Sequence, residues 1–160
     1  MTIKIGDKLP DFEFTTMTTD GAQKLSTEKI FAGRKVVLFA VPGAFTPTCS
    51  MNHLPGFVKN ADALRKKGVD AVVCVAVNDV HVMNAWGKHS NCDCKVTMLA
   101  DGNGDFARKL GLEVDLAGAG MGKRSRRYSM IVDDGVVKSL NVEDKPGVNV
   151  SGAETVLEQL

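Results

Sequence analysis

The stretch "KVVLFAVPGAFTPTC", residues 35–49, decides the fold. Its first seven residues are short, apolar and rich in Val, Leu and Phe, as expected of a strand buried on both faces. Pro42 ends that run. Thr46 and Pro47 then predict a helix start, since Thr caps helices and Pro fits the first turn. Cys49 therefore falls in the first turn of a helix that follows a buried strand. Unpaired backbone N–H groups and the positive end of the helix dipole favour a thiolate there. A small, inert core thiol is the plain alternative.

The same alternation continues outward. Leu54, Phe57, Val58, Ala61 and Leu64 fall at helical spacing within 50–67, and Gly68 follows. "DAVVCVAV" (70–77) reads as a second buried strand and "VHVMNAWGKHS" (80–90) as a helix. "VTMLAD" (96–101) reads as a third strand, and "GDFARKLGL" (104–112) as a short helix ended by Gly111. "RYSMIVDDGVVKSLNVE" (127–143) predicts a hairpin turning at Asp133-Asp134-Gly135. "SGAETVLEQL" (151–160) predicts a terminal helix, with Ser151 as cap and Glu154 completing a capping box. No repeat, low-complexity tract or linker intervenes. The pattern predicts an α/β fold of three layers, a mixed central sheet flanked by helices, in one domain spanning 1–160. The late hairpin is expected to add antiparallel edge strands.

Composition narrows the function. The chain has 160 residues, 44% apolar and 24% charged, with a formal net charge of +1. That balance offers no case for nucleic acid or an anionic membrane, and no apolar run approaches the ~20 residues that cross a bilayer. No leader is evident, so the cytoplasm is the expected location, with the mitochondrion as the alternative if a presequence has been removed. Four cysteines at irregular spacing, Cys49, Cys74, Cys92 and Cys94, suggest free thiols in a reducing compartment.

"PGAFTPTC" resembles the peroxiredoxin signature Pro-x-x-x-Thr-x-x-Cys, with Pro42, Thr46 and Cys49. The longer "VPGAFTPTCSMNHLPGF" is similar to the peroxiredoxin-5/type II subgroup. The similarity extends through "CVAVNDVHVMNAW", "ADGNGDFARKLGL" and "RSRRYSMIVDDG", essentially the whole chain. It implies a thioredoxin-like fold in which Thr46-Pro47-Thr48-Cys49 stands where thioredoxin carries Cys-x-x-Cys. It implies a thiol peroxidase, without cofactor, acting on hydrogen peroxide and organic hydroperoxides. Cys49 would be the peroxidatic thiolate, oxidised to a sulfenic acid. Thr46, through its hydroxyl, and the Thr48 backbone N–H would orient the peroxide. Arg127 would hold the thiolate. Pro42 would shield the sulfur from water. Phe45 and Leu112–Leu116 would offer apolar surface to organic peroxides. Glutathione, glutaredoxin or thioredoxin would return the reducing equivalents, and a homodimer packed near the active-site loops is expected.

Several features admit two readings. Cys74 is either an inert core thiol or, as the resemblance to plant-like members implies, a resolving cysteine whose disulfide needs local unfolding. Animal-type members place a resolver near the C-terminus, where this chain has Ser151. Cys92 and Cys94 are expected to be an exposed pair; with His89 they make three metal ligands at best, too few for structural zinc. His53 stands four residues beyond Cys49 and is expected to support packing or a dimer contact. "KRSRR" (123–127) reads as a solvated basic turn apart from Arg127, and "AGAGMG" (117–122) as a loop rather than a phosphate cradle. A thioredoxin-like redox-sensing or binding module without peroxidase turnover is the alternative function. The lack of Cys-x-x-Cys counts against a disulfide oxidoreductase.

Overall fold

A computed structural model describes residues 2–92 and 95–160. The opening run forms β3 (Lys35–Val41), buried from Val36 onward. It lies between β4 (Ala71–Ala76), which is parallel to it, and β8 (Tyr128–Asp133), which is antiparallel. β5 (Thr97–Ala100) extends the parallel part beyond β4. β9 (Val136–Val142) pairs antiparallel with β8. Two strands unforeseen in the sequence, β1 (Glu13–Thr18) and β2 (Gly21–Ser26), form an antiparallel hairpin beyond β5. They are largely polar and partly exposed, so they lack the apolar run that marks a central strand. The seven-stranded mixed sheet has the order β2-β1-β5-β4-β3-β8-β9. The late hairpin thus supplies one edge, β9, while β8 is interior.

Period-two alternation sends β3 side chains to two cores. Val37, Phe39 and Val41, with Cys74 and Ala76, pack under α2 (Leu54–Lys66), α3 (Val80–His89) and α5 (Ala153–Gln159). Phe39 stacks on Phe57 with ring centroids 4.1 Å apart. On the other face Val36, Leu38 and Ala40, with Tyr128 and Met130, pack against α1 (Thr27–Phe31) and α4 (Asp105–Leu110). The helices therefore cover both sides of the sheet, as the near-continuous apolar strands require. Losing a side chain the size of Phe39 from such a core costs about 3–5 kcal/mol.

Ser151 does not cap α5. Gly152 is the N-cap residue and offers no side chain. The Ser151 hydroxyl instead donates to Glu143 Oε2 at 2.6 Å. A buried carboxylate outcompetes a helix N–H for that hydroxyl because the bond to a charged acceptor is stronger. "KRSRR" is only partly a solvated turn, since Lys123–Ser125 form β7, paired with β6 (Glu113–Asp115) in a small second sheet. No helix among the described residues is long and apolar enough to cross a membrane.

Candidate active site

β3 delivers the chain to the C-terminal ends of the parallel strands, where α/β sheets open their crevices. The loop after Val41 is tied from two sides. Asn78, just beyond β4, accepts the Ala44 N–H at 2.9 Å. Arg124 donates from Nη1 to the Pro42 carbonyl at 3.3 Å and from Nε to the Met121 carbonyl at 2.8 Å. Gly43 is what lets these groups approach. A Cβ there would stand 3.0 Å from Arg124 Nη1 and 3.2 Å from Thr46 Cγ2. Phe45 adopts a left-handed backbone, φ 62°, which costs an L-residue roughly 1–2 kcal/mol. Its ring is half exposed and leans toward Trp86 and His89, with centroids 6.5 and 5.7 Å away. Leu112 is fully buried in the opposite core, so it offers no surface to a substrate.

Thr46 stands at the helix start, and its carbonyl accepts the Ser50 N–H at 2.9 Å. Its hydroxyl turns back and donates to the Gly43 carbonyl at 2.7 Å rather than toward the sulfur. The hydroxyl oxygen keeps lone pairs for an incoming donor. The N–H groups of Thr48 and Cys49 fall in the first turn, where a helix supplies no acceptors of its own.

Cys49–His53 form a wider π-helical turn, closed by the Leu54 N–H on the Cys49 carbonyl. Both Cys49 and His53 are buried. Arg127, immediately before β8, bridges them: Nη2 donates to Cys49 Sγ at 3.0 Å and Nη1 to His53 Nδ1 at 2.9 Å. An arginine can only donate, so His53 Nδ1 accepts and its proton sits on Nε2. Nε2 in turn donates to the Ser151 carbonyl at 2.9 Å. Burial pushes the His53 pKa down, the Ser151 carbonyl partly offsets this, and the Arg127 charge lowers it further, to about 4. The ring is therefore neutral near pH 7. This arginine-holding role differs from the packing or dimer contact expected of His53. The four-residue spacing from Cys49 was its signal.

The indole Nε1–H of buried Trp86 donates to Ser50 Oγ at 2.9 Å, so α3 is tied to the residue after Cys49. Cys74 is fully buried in β4 on the same side of the sheet, and burial pushes its thiol pKa well above the usual value. Cys92 is buried as well, which corrects the expectation of an exposed pair. Cys94 lies outside the described residues. Among the described residues no three His, Cys, Asp or Glu side chains cluster closely enough to hold a metal ion. Asn78, Arg124 and Glu143 also bear on the site, and isolated polar residues beside strand ends leave little periodic trace by which to find them.

A buried sulfur facing a fixed guanidinium, with a hydroxyl acceptor and helix-start donors beside it, is equipped to act as a nucleophile on a polar bond. Comparison with known proteins agrees. The Redoxin family model matches residues 4–157. Peroxiredoxin-2E, chloroplastic, of Arabidopsis thaliana is 48% identical over 99% of this chain and 69% of that protein. Peroxiredoxin-2E-2, chloroplastic, of Oryza sativa subsp. japonica is 51% identical over 99% of this chain and 73% of its own. Reduced Prx3 of Vibrio vulnificus, solved in complex with hydrogen peroxide, superposes with a TM-score of 0.95 at 51% identity, covering 99% of each chain. The chain belongs to the redoxin family and is a peroxiredoxin, consistent with the type II subfamily. It is accordingly a thiol peroxidase with the thioredoxin-like fold. The expected cytoplasmic location is contradicted by these relatives, two of which are chloroplastic proteins.

Proposed function

We propose that residues 1–160 act as one peroxidase domain in which Cys49 is the peroxidatic thiolate. The observation that carries this reading is the 3.0 Å contact between Arg127 Nη2 and the buried Cys49 Sγ. The thiolate attacks one oxygen of the peroxide and the O–O bond breaks. The departing oxygen leaves as water or an alcohol after gaining a proton, and Cys49 becomes a sulfenic acid. Thr46 Oγ1 accepts from the peroxide, the Thr48 and Cys49 N–H groups face the developing charge, and Arg127 stabilises both sulfur and leaving oxygen. Pro42 shields the sulfur from water. The half-exposed Phe45 ring favours small alkyl hydroperoxides alongside hydrogen peroxide.

An external thiol completes the cycle. It attacks the Cys49 sulfenic acid, releasing water and leaving a mixed disulfide, which a second thiol reduces. Glutathione, alone or with glutaredoxin, suits this scheme better than an internal route through Cys74, whose thiol is protonated and fully buried. Thioredoxin would suit an internal disulfide. A homodimer is supported by exposed apolar side chains near the site, Phe45, Met51 and Val150. The chloroplastic relatives support a plastid-type setting.

The test is peroxide turnover with glutathione and glutaredoxin. Cys49→Ser should abolish it and Cys74→Ala should leave it. Retained turnover in Cys49→Ser sinks the assignment. Loss in Cys74→Ala, with a Cys49–Cys74 disulfide by mass, moves the cycle to an internal resolver.

A further inference from the structure

Glu143 follows β9 and is almost fully buried, 7% exposed. Its carboxylate gathers one turn of chain. Oε2 accepts the backbone N–H groups of Asn149, Val150 and Ser151, each at 2.8 Å, and the Ser151 hydroxyl. Oε1 accepts from Asn149 Nδ2 at 3.2 Å. Three successive N–H groups turned onto one oxygen make a backbone anion nest, built here for a side chain of the same protein. Burial alone would push the Glu143 pKa up. The Ser151 hydroxyl and the N–H groups of Val150, Asn149 and Ser151 outweigh it and bring the value to about 2.

Three hydrogen bonds in series link the nest to the reactive sulfur. The Ser151 whose N–H and hydroxyl hold Glu143 is the residue whose carbonyl accepts the His53 Nε2–H. His53 then presents bare Nδ1 to Arg127, and Arg127 reaches Cys49. The Glu143 backbone also clasps the arginine strand. Its N–H donates to the Arg127 carbonyl at 2.9 Å, and its carbonyl accepts from Arg126 Nη2 at 3.2 Å.

We infer that Glu143 is a positioning residue for peroxide reduction: it fixes the Ser151 carbonyl, which sets the His53 tautomer and ring, which aims Arg127 at the Cys49 sulfur. The inference rests on the reading of Cys49 as the peroxidatic thiol. It assigns Glu143 no contact with substrate. Without the carboxylate, the 149–151 turn loses its common acceptor and Ser151 can swing its carbonyl away. His53 is then free to place its proton on Nδ1, where it meets an Arg127 donor instead of serving as its acceptor.

The experiment compares Glu143→Gln with Asp101→Asn, a buried-carboxylate control whose hydrogen bonds lie outside the Ser151–His53–Arg127 chain. Asp101 is another buried carboxylate, and it accepts the N–H groups of Phe106 and Ala107 at the start of α4. Single-turnover oxidation by hydrogen peroxide is followed through the sole tryptophan, Trp86, and the His53 tautomer by nitrogen NMR. Both variants should melt lower. Only Glu143→Gln should slow oxidation, about tenfold, and lose the single Nε2–H tautomer. Asn149→Ala, which keeps the carboxylate but removes one donor, should show the same pair of changes in weaker form and serves if Glu143→Gln does not fold. Equal slowing in both carboxylate variants, an unchanged tautomer, or an unchanged rate in a folded Glu143 or Asn149 variant overturns the inference. A wild-type protein inert to peroxide overturns the Cys49 reading instead.

Discussion

The Thr46 hydroxyl spends its one proton on the Gly43 carbonyl, 2.7 Å away. Its oxygen can therefore meet a peroxide only as an acceptor. Thr46→Val keeps the shape but removes that acceptor, and the rate constant for oxidation by hydrogen peroxide should fall by a factor on the order of 10²–10³. Thr46→Ser keeps the hydroxyl and should stay within about tenfold of wild type. Stopped-flow oxidation of both variants checks the pair, and equal rates for Val and Ser refute the role.

Arg127 serves two partners through one planar fork, and a lysine ammonium on a flexible stem cannot reproduce that geometry. Arg127→Lys preserves the charge yet should oxidise about a hundredfold more slowly. Alkylation of Cys49 by iodoacetamide, a neutral reagent needing no peroxide orientation, should slow less. If both reactions slow equally, Arg127 acts on the thiolate alone.

Gly43 has ordinary backbone geometry, so alanine there is limited by space and not by φ. The new methyl would meet Arg124 Nη1 at 3.0 Å, Met121 Cε at 3.1 Å and Thr46 Cγ2 at 3.2 Å. Such crowding costs about 1 kcal/mol when flexible tips can yield. The displaced Thr46 should lower the oxidation rate by about tenfold or more, since small misplacements near reacting atoms are expensive. Melting temperature and peroxide kinetics on Gly43→Ala separate the two effects.

Acid should lower the stability of this protein over two pH ranges. His53 ordinarily titrates near 6.5 but stays neutral in the folded state until about pH 4. The unfolded chain takes up that proton first, so stability falls by about 3 kcal/mol as pH drops from 6.5 to 4. Glu143 ordinarily titrates near 4.5 and remains ionised when folded down to about 2. Its stabilisation is complete above 4.5 and is lost as pH falls toward 2, by a similar amount. Urea unfolding between pH 7 and 3 should show both limbs. His53→Asn should flatten the upper limb and Glu143→Gln the lower.

Much of this architecture can be read from residue patterns, because buried strands and amphipathic helices leave strong periodic traces. β3, β4 and α3 lie within one residue at each end of their expected spans. The hairpin of β1 and β2 left none, being polar at a sheet edge. The approach of Cys49 and Arg127, 78 positions apart in sequence, was expected from family resemblance and not from pattern. The role of His53 was missed for a geometric reason. An ordinary α-helix was assumed, whereas the chain makes a π-helical turn there that brings both Cys49 and His53 to Arg127. Glu143 was invisible because three of the donors to its carboxylate are backbone N–H groups, which every sequence has.

The pairing of β3 with β8 sets Ala40 opposite Tyr128, one residue past the arginine. Strand side chains alternate in direction, so adding or removing one residue within 128–133 would turn Arg127 to the wrong face even if every pair bond reformed. The exposed residues 117–120 bear no such constraint, because the Leu116 N–H on the Gly122 carbonyl closes the turn at its base. Changes of chain length should therefore be survivable in that turn and ruinous in the strand, however conservative the inserted residue.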